Sequence, residues 1–539
     1  MQWEFLTFNR FAWIVILALQ LSAHGGDDFL REMQRKAAKE NHANWGHWGS
    51  SVRHYAHSSR HSNRLVPVYT YGIDLNEVSG RNSLYRSAPA LRRLYGYLPE
   101  KTLNPRANYF DQTDVCRLQW QAINSGKKNI VLIVFDGLDW QLANAAAIYR
   151  TRSVAYSSGR GSGLAFQDYG ETTSDFGSFV TSPQNSGTAV DVNAQFVKNP
   201  GGTARGGYFA RLGGDTPWSK SANAHYLLGK HRRFGHVVTD SASSATSMTS
   251  GIKTYNGAVN VDAYGQHVIP IARTLQQQGF GIGVVSSVSI SHATPACAYA
   301  NNVTRADYQD ISRDLLGLRS VSHRFDPLPG VDVLLGAGWG AEASRDNGQG
   351  NNFQPGNRFL AEEDFARINV ANGGNYVVAV RQPGRSGNAV LMDAAWQAHQ
   401  HGARLFGYFG AQGGHLPYKT ADGKYDSLNR RYSDADILEN PSLAQMTRAA
   451  LGVLSANPNG FWLMIEAGDV DWAAHSNNID DAIGATFSGD DAFRMVTDWV
   501  EINDAWEDTV VIVTADHGHY FVLDQPETLA GPSASPDRS

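Results

Sequence analysis

In the run Thr239-Asp240-Ser241-Ala242-Ser243 a hydroxyl follows an acidic residue, at the mouth of a small-residue stretch that ends at Ser250-Gly251. If that stretch is helical, its first backbone N–H groups and its dipole favour an anion beside Ser241. Alone the pattern is weak, because Ser and Asp are routine helix caps and turn residues. Other chemistry-bearing residues gather at the ends of apolar runs. Asp136 follows Ile133-Val134-Phe135, Glu466 follows Phe461-Trp462-Leu463-Met464-Ile465, and Asp516-His517 follows Val510-Val511-Ile512-Val513-Thr514-Ala515. Asp471 and His475 stand four residues apart, which puts them on one face of a helical turn. Carboxylate and imidazole together make the mixed donor set that suits zinc, and carboxylate with hydroxyl oxygen suits magnesium. One such cluster reads as a helix cap. Several, with a candidate nucleophile on another loop, read as a metal-assisted site.

These residues need a scaffold, and the chain supplies one. Apolar runs at Ile130 to Phe135, Ile282 to Val288, Val331 to Leu335, Phe461 to Ile465 and Val510 to Val513 read as buried strands. Helix-like stretches such as Ile271 to Gln278 and Pro441 to Ser455 fall between them. That alternation predicts an α/β fold with a largely parallel central sheet and helices on both faces. Such sheets place ligands at the carboxyl ends of their strands, where the acidic residues lie. Residues 156–235 and 339–400, rich in Gly, Ser and Asn, read as large loop insertions. Gly159-Arg160-Gly161-Ser162-Gly163 follows no clear strand and lacks a trailing Lys-Ser or Lys-Thr, so it reads as a loop.

Composition bounds the rest. The 539 residues are 42% apolar and 18% charged, a globular balance. A net charge of −5 argues against nucleic-acid binding. Arg10 and the apolar run Phe11 to Leu19, then Leu21-Ser22-Ala23, predict a signal peptide over residues 1–23 and a secreted or periplasmic protein. That run falls short of the about 20 apolar residues of a membrane span. Residues 24–127 form a His/Arg-rich segment with His42, His47, His54, His57 and His61 at irregular spacing, read as a solvated loop or covering arm. Cys116 and Cys297 lack metal-site spacing.

Order and spacing over residues 128–520 resemble the alkaline phosphatase family, so that residues 128–539 would form its catalytic domain. The resemblance runs through Val237 to Ala258, Ser291-His292-Ala293-Thr294-Pro295-Ala296 with Arg305, Met464 to His475, and Thr514-Ala515-Asp516-His517-Gly518-His519. It implies Ser241 as nucleophile, forming a phosphoserine, and Arg305 as the clamp on phosphate. It implies one zinc on Asp136, Asp516 and His517, a second on Asp471 and His475, and magnesium on Asp136, Thr294 and Glu466. The implied substrates are small phosphate monoesters, cleaved at alkaline pH, and a homodimer is a common family state.

The chain also departs from that pattern. The zinc on Asp471 and His475 should receive a further His from a segment beyond the Asp-His-x-His strand, and no His follows His519. Two protein ligands leave a catalytic zinc one short of the usual three. Either the chain is cut short of that segment or this zinc site is impaired, and in the second case a catalytically impaired phosphate- or metal-binding homologue is the expectation. A sulfatase or phosphodiesterase on the same scaffold ranks lower, since no Cys/Ser-x-Pro-x-Arg stretch surrounds Ser241, Cys116 or Cys297. His292 replaces an acid common in bacterial members, Trp472 replaces a Lys or His, and Asp139 stands at a usual Gly position.

Overall fold

The computed structural model describes residues 28–51, 55, 60–219, 223–234, 236–426 and 431–532, so the expected signal peptide lies outside the described residues. Its framework is one ten-stranded sheet. In chain order the strands are β1 (Val66–Tyr71), β2 (Phe110–Asp111), β3 (Asn129–Phe135), β4 (Ser174–Val180), β5 (Gly281–Ser289), β6 (Val333–Ala337), β7 (Tyr376–Val380), β8 (Arg404–Phe409), β9 (Phe461–Ala467) and β10 (Thr509–Ala515). Their order across the sheet is β7-β8-β6-β5-β9-β3-β10-β1-β4-β2. Every neighbouring pair from β7 to β10 is parallel. Only β1 runs against its neighbours, β10 and β4, while β2 is parallel to β4.

The apolar runs at the centre become strands because both faces are covered. Ile130 to Phe135, all of β5 and all of β10 are buried. Successive residues of β9 show the two covers. Phe461 packs edge-on against Trp499 of the helix Ile479–Ile502, with ring centroids 5.5 Å apart. The next residue, Trp462, points the other way and donates its indole N–H to Gln119 of the helix Thr113–Asn124.

Register then sets the site. Phe461 and Thr509 both align with Asn129, so Ala467, Phe135 and Ala515 end level. Asp136, Glu466 and Asp516 therefore emerge together on adjacent strands.

Several elements differ from expectation. Residues 24–127 supply β1 and β2 of the main sheet, plus a strand, Gly46–Trp48, paired antiparallel with Phe521–Leu523. Pro67 within Val66–Tyr71 argues against a strand in sequence, yet the pairing with β4 and β10 holds the segment extended. Residues 156–235 contain β4, and residues 339–400 contain β7 and the helix Gly387–His401. The helix expected from Pro441 runs Leu443–Leu454 and starts with a capping box, Ser442 with Gln445.

Candidate active site

Ser241 is the first residue of the helix Ser241–Ser250, whose N-cap is Asp240. The Asp240 carboxylate accepts from the N–H of Ser243 at 3.0 Å and of Gly257 at 3.1 Å. That ties the loop after the helix to its mouth and fixes the buried Ser241 hydroxyl. Ser241 Oγ lies 3.4 Å from Asp136 Oδ1 and 3.3 Å from His517 Nε2. His517 Nε2 is 3.3 Å from Asp136 Oδ1 and 3.5 Å from Asp516 Oδ2. Tetrahedral zinc with bonds of about 2.0–2.1 Å keeps its ligand atoms about 3.3 Å apart. The Asp136, Asp516, His517 and Ser241 donors match that spacing.

On the other side of Asp136, Oδ2 is 3.9 Å from His292 Nδ1, which is 3.8 Å from Glu466 Oε1. His292 caps the short helix Ala293–Cys297 that carries Thr294. Asp136 Oδ2, Glu466 Oε1, Asp516 Oδ2, Thr294 Oγ1 and His292 Nδ1 are all buried and find no hydrogen-bond partner among the described residues. Unsatisfied buried oxygens of this kind are costly and fit cation ligands. Burial, reinforced by Asp471 and Glu466, raises the Asp136 carboxyl well above the usual range. Burial and then Asp136 push Asp516 up to about 8, and burial drops His517 to about 4. A cation would favour the ionised carboxylates and the neutral imidazole.

Asp471 and His475 sit on the helix Asp469–His475, with Asp471 Oδ1 3.5 Å from His475 Nε2. His519 Nε2 reaches the same Oδ1 at 2.6 Å. Arg305 Nη1 donates to Asp240 Oδ2 at 3.2 Å, and its Nη2 donates to His292 Nε2 at 3.2 Å. Burial works against it, yet Arg305 holds the Asp240 carboxyl below its ordinary value. Arg305 is thus held between Asp240, which caps the Ser241 helix, and His292.

Side-chain contacts join the sequence-predicted residues into one network; Thr294 joins through its place beside His292. Sequence reading misses Asp240 as an anchor and above all His61. The tract holding His61 reads as a covering arm in sequence; in the structure His61 Nε2 lies 3.2 Å from His475 Nε2. Nothing in its irregular spacing marks it out. Asp139, unexplained in sequence, caps the helix Trp140–Thr151 through Leu142 N–H and accepts from Phe521 N–H at 2.9 Å. It also lies 3.7 Å from Arg64 Nη1.

The family model described as alkaline phosphatase matches residues 214–534, more than half of the chain. The chain belongs to the alkaline phosphatase family. Alkaline phosphatase H of Pseudomonas aeruginosa is 30% identical over 334 residues, covering 60% of this chain and 66% of that protein. Alkaline phosphatase 3 of Bacillus subtilis is 29% identical over 54% of this chain and 52% of its own length. The alkaline phosphatase of Escherichia coli is 29% identical over 57% of this chain and 63% of its own. The chain therefore spans about half to two thirds of the curated relatives it matches. The cold-active alkaline phosphatase of a Shewanella species superposes with a TM-score of 0.44 at 21% identity, covering 72% of this chain and 68% of that one.

Proposed function

We propose that this chain hydrolyses phosphate monoesters at alkaline pH through a phosphoserine at Ser241, with two zinc ions and one magnesium ion. The observation that carries the reading is Ser241 Oγ, buried at a helix N-terminus within 3.4 Å of both Asp136 and His517. Asp136, Asp516 and His517 would hold one zinc, Asp471 and His475 the other, and Asp136, Thr294 and Glu466 the magnesium. When bound, these ions neutralise charge on the attacking and leaving oxygens and lower the pKa of the serine hydroxyl and of water. Ser241 Oγ attacks phosphorus as the ester P–O bond breaks and the alcohol leaves with a proton. Water then cleaves the Ser–O–P linkage, restoring the hydroxyl and releasing inorganic phosphate. Arg305, held by Asp240, binds two non-bridging oxygens with its planar fork through both steps.

The substrates are small phosphate monoesters, and the chain acts as a secreted or periplasmic protein, commonly dimeric in this family. No helix among the described residues is long and apolar enough to cross a membrane. The impaired-homologue reading rests on a missing imidazole near Asp471 and His475; His61 stands there. The test is p-nitrophenyl phosphate hydrolysis with zinc and magnesium, alongside acid-quenched labelling by phosphate. Ser241→Ala should lose at least about 10³-fold in kcat and all labelled phosphoserine, with zinc content unchanged. A variant that keeps a substantial metal-dependent rate sinks the mechanism.

A further inference from the structure

We infer that His61 is the third protein ligand of the zinc held by Asp471 and His475. The first segment of the chain thereby supplies what the family takes from a segment after the Asp-His-x-His strand. The inference rests on the phosphatase reading and adds to it the origin of the missing ligand.

The geometry is that of one face of a tetrahedron. His61 Nε2 is 3.2 Å from His475 Nε2 and 3.5 Å from Asp471 Oδ1, and the third edge, His475 to Asp471, is 3.5 Å. Ligand atoms on one zinc lie about 3.3 Å apart. The tautomer agrees. His61 Nδ1 is 3.1 Å from the carbonyl oxygen of Thr239, which can only accept, so Nδ1 carries the proton. The lone pair of the neutral ring is then on Nε2, facing the cluster. A backbone carbonyl behind a ligating imidazole is a recurrent way of fixing its orientation. His519 plays a different part, because its Nε2 is committed to Asp471 at 2.6 Å and orients that carboxylate.

The residues that follow His61 are anchored one by one. Ser62 N–H donates to Gly518 O at 2.8 Å, and Asn63 binds Leu227 O and Val237 O. Arg64 donates to Phe521 O, lies over the Tyr520 ring and approaches Asp139. The His61 ring stacks on His517 with centroids 3.6 Å apart.

Topology explains how an early residue reaches a late site. β1 is the antiparallel neighbour of β10, so the start of β1 lies beside the end of β10. Thr514 pairs with Val68, and the lead-in to β1 continues past it to Gly518. A ligand on that lead-in arrives at Asp516-His517 wherever its segment falls in the chain. Sites of this kind are defined by geometry, and the same constellation tolerates different chain orders. In this protein His61 precedes the other ligand-bearing segments in the sequence.

The experiment measures bound zinc in the full chain after dialysis against a zinc buffer, with thermal denaturation of each variant as a fold check. Wild type and His225→Ala, a histidine away from the site, should retain two tightly held zinc ions. His61→Ala should retain one, its second site weakened at least about 100-fold. His61→Cys loaded with cobalt should show a thiolate-to-cobalt charge-transfer band absent from the cobalt-loaded wild type, whose two cysteines are buried. A purely structural role for His61 cannot produce that band. Two tight zinc ions in His61→Ala, with no band in His61→Cys, overturn the assignment while leaving the phosphatase reading intact. A wild type that binds no zinc overturns both.

Discussion

Asp136 serves two clusters at once: Oδ1 faces His517 and Ser241, and Oδ2 faces His292. Its position at the end of β3 allows this, because a carboxylate at the centre of a parallel sheet has neighbours on both sides. Arg305 is the other residue whose chemistry depends on shape. Its guanidinium engages Asp240 with one nitrogen and His292 with another, which leaves the fork fixed in direction. Arg305→Lys keeps the charge and loses the fork. We expect kcat/KM for p-nitrophenyl phosphate to fall about 10- to 100-fold, with weaker inhibition by inorganic phosphate. Unchanged phosphate inhibition would show that Arg305 does not bind the phosphoryl group.

The elements matter through their ends. β3 leads into Gly137, whose φ is +80° and whose N–H donates to Asp516 Oδ1 at 3.0 Å. A Cβ there would meet the His519 ring at 2.9 Å and Asp471 Cα at 3.0 Å. Gly137→Ala should therefore strain the backbone and push His519 off Asp471. The expected result is a loss of more than about 1 kcal/mol in stability, together with weaker zinc binding. Wild-type zinc affinity in that variant would mean that the turn after β3 does not set the ligand geometry. Asp139 works similarly, joining the helix that follows β3 to Phe521 and Arg64. The same few residues thus fasten the first segment of the chain to the last strand region.

At the scale of the whole molecule, buried carboxylates outside the site make stability depend on pH. Burial, and then the neighbouring Asp310, push the Asp314 carboxyl up to about 8. The unfolded chain releases that proton from about pH 4, whereas the folded protein holds it until about pH 8. The unfolded state binds fewer protons across that window, so stability falls as pH rises through it. Asp314→Asn removes this dependence and keeps an acceptor for the Asn301 N–H now bound at 3.1 Å. Thermal denaturation of zinc-saturated protein should show a smaller drop in Tm between about pH 5 and pH 8 than in wild type, the ceiling per group being about 1.4 kcal/mol per pH unit. An identical drop in both proteins would remove Asp314 from the account.

Sequence alone determined the centre of the sheet and singled out most residues of the candidate site. Short apolar runs between turn signals read as buried strands, and an acid directly after such a run sits at the carboxyl end, where ligands bind. Ser241, Asp136, Glu466, Asp471, His475, Asp516 and His517 are legible because each lies next to the element that positions it. The outer strands are less so: Pro67 masks β1, and loop-like composition hides β4 and β7. His61 is invisible for a different reason. Its partners are 178 residues away at Thr239 and 414 away at His475, and no local pattern encodes such a contact. Only the antiparallel pairing of β1 with β10 decided that a histidine from the first segment meets the helix of Asp471 and His475. Local sequence sets which residues can bind a metal, whereas the register between distant strands sets which of them share one.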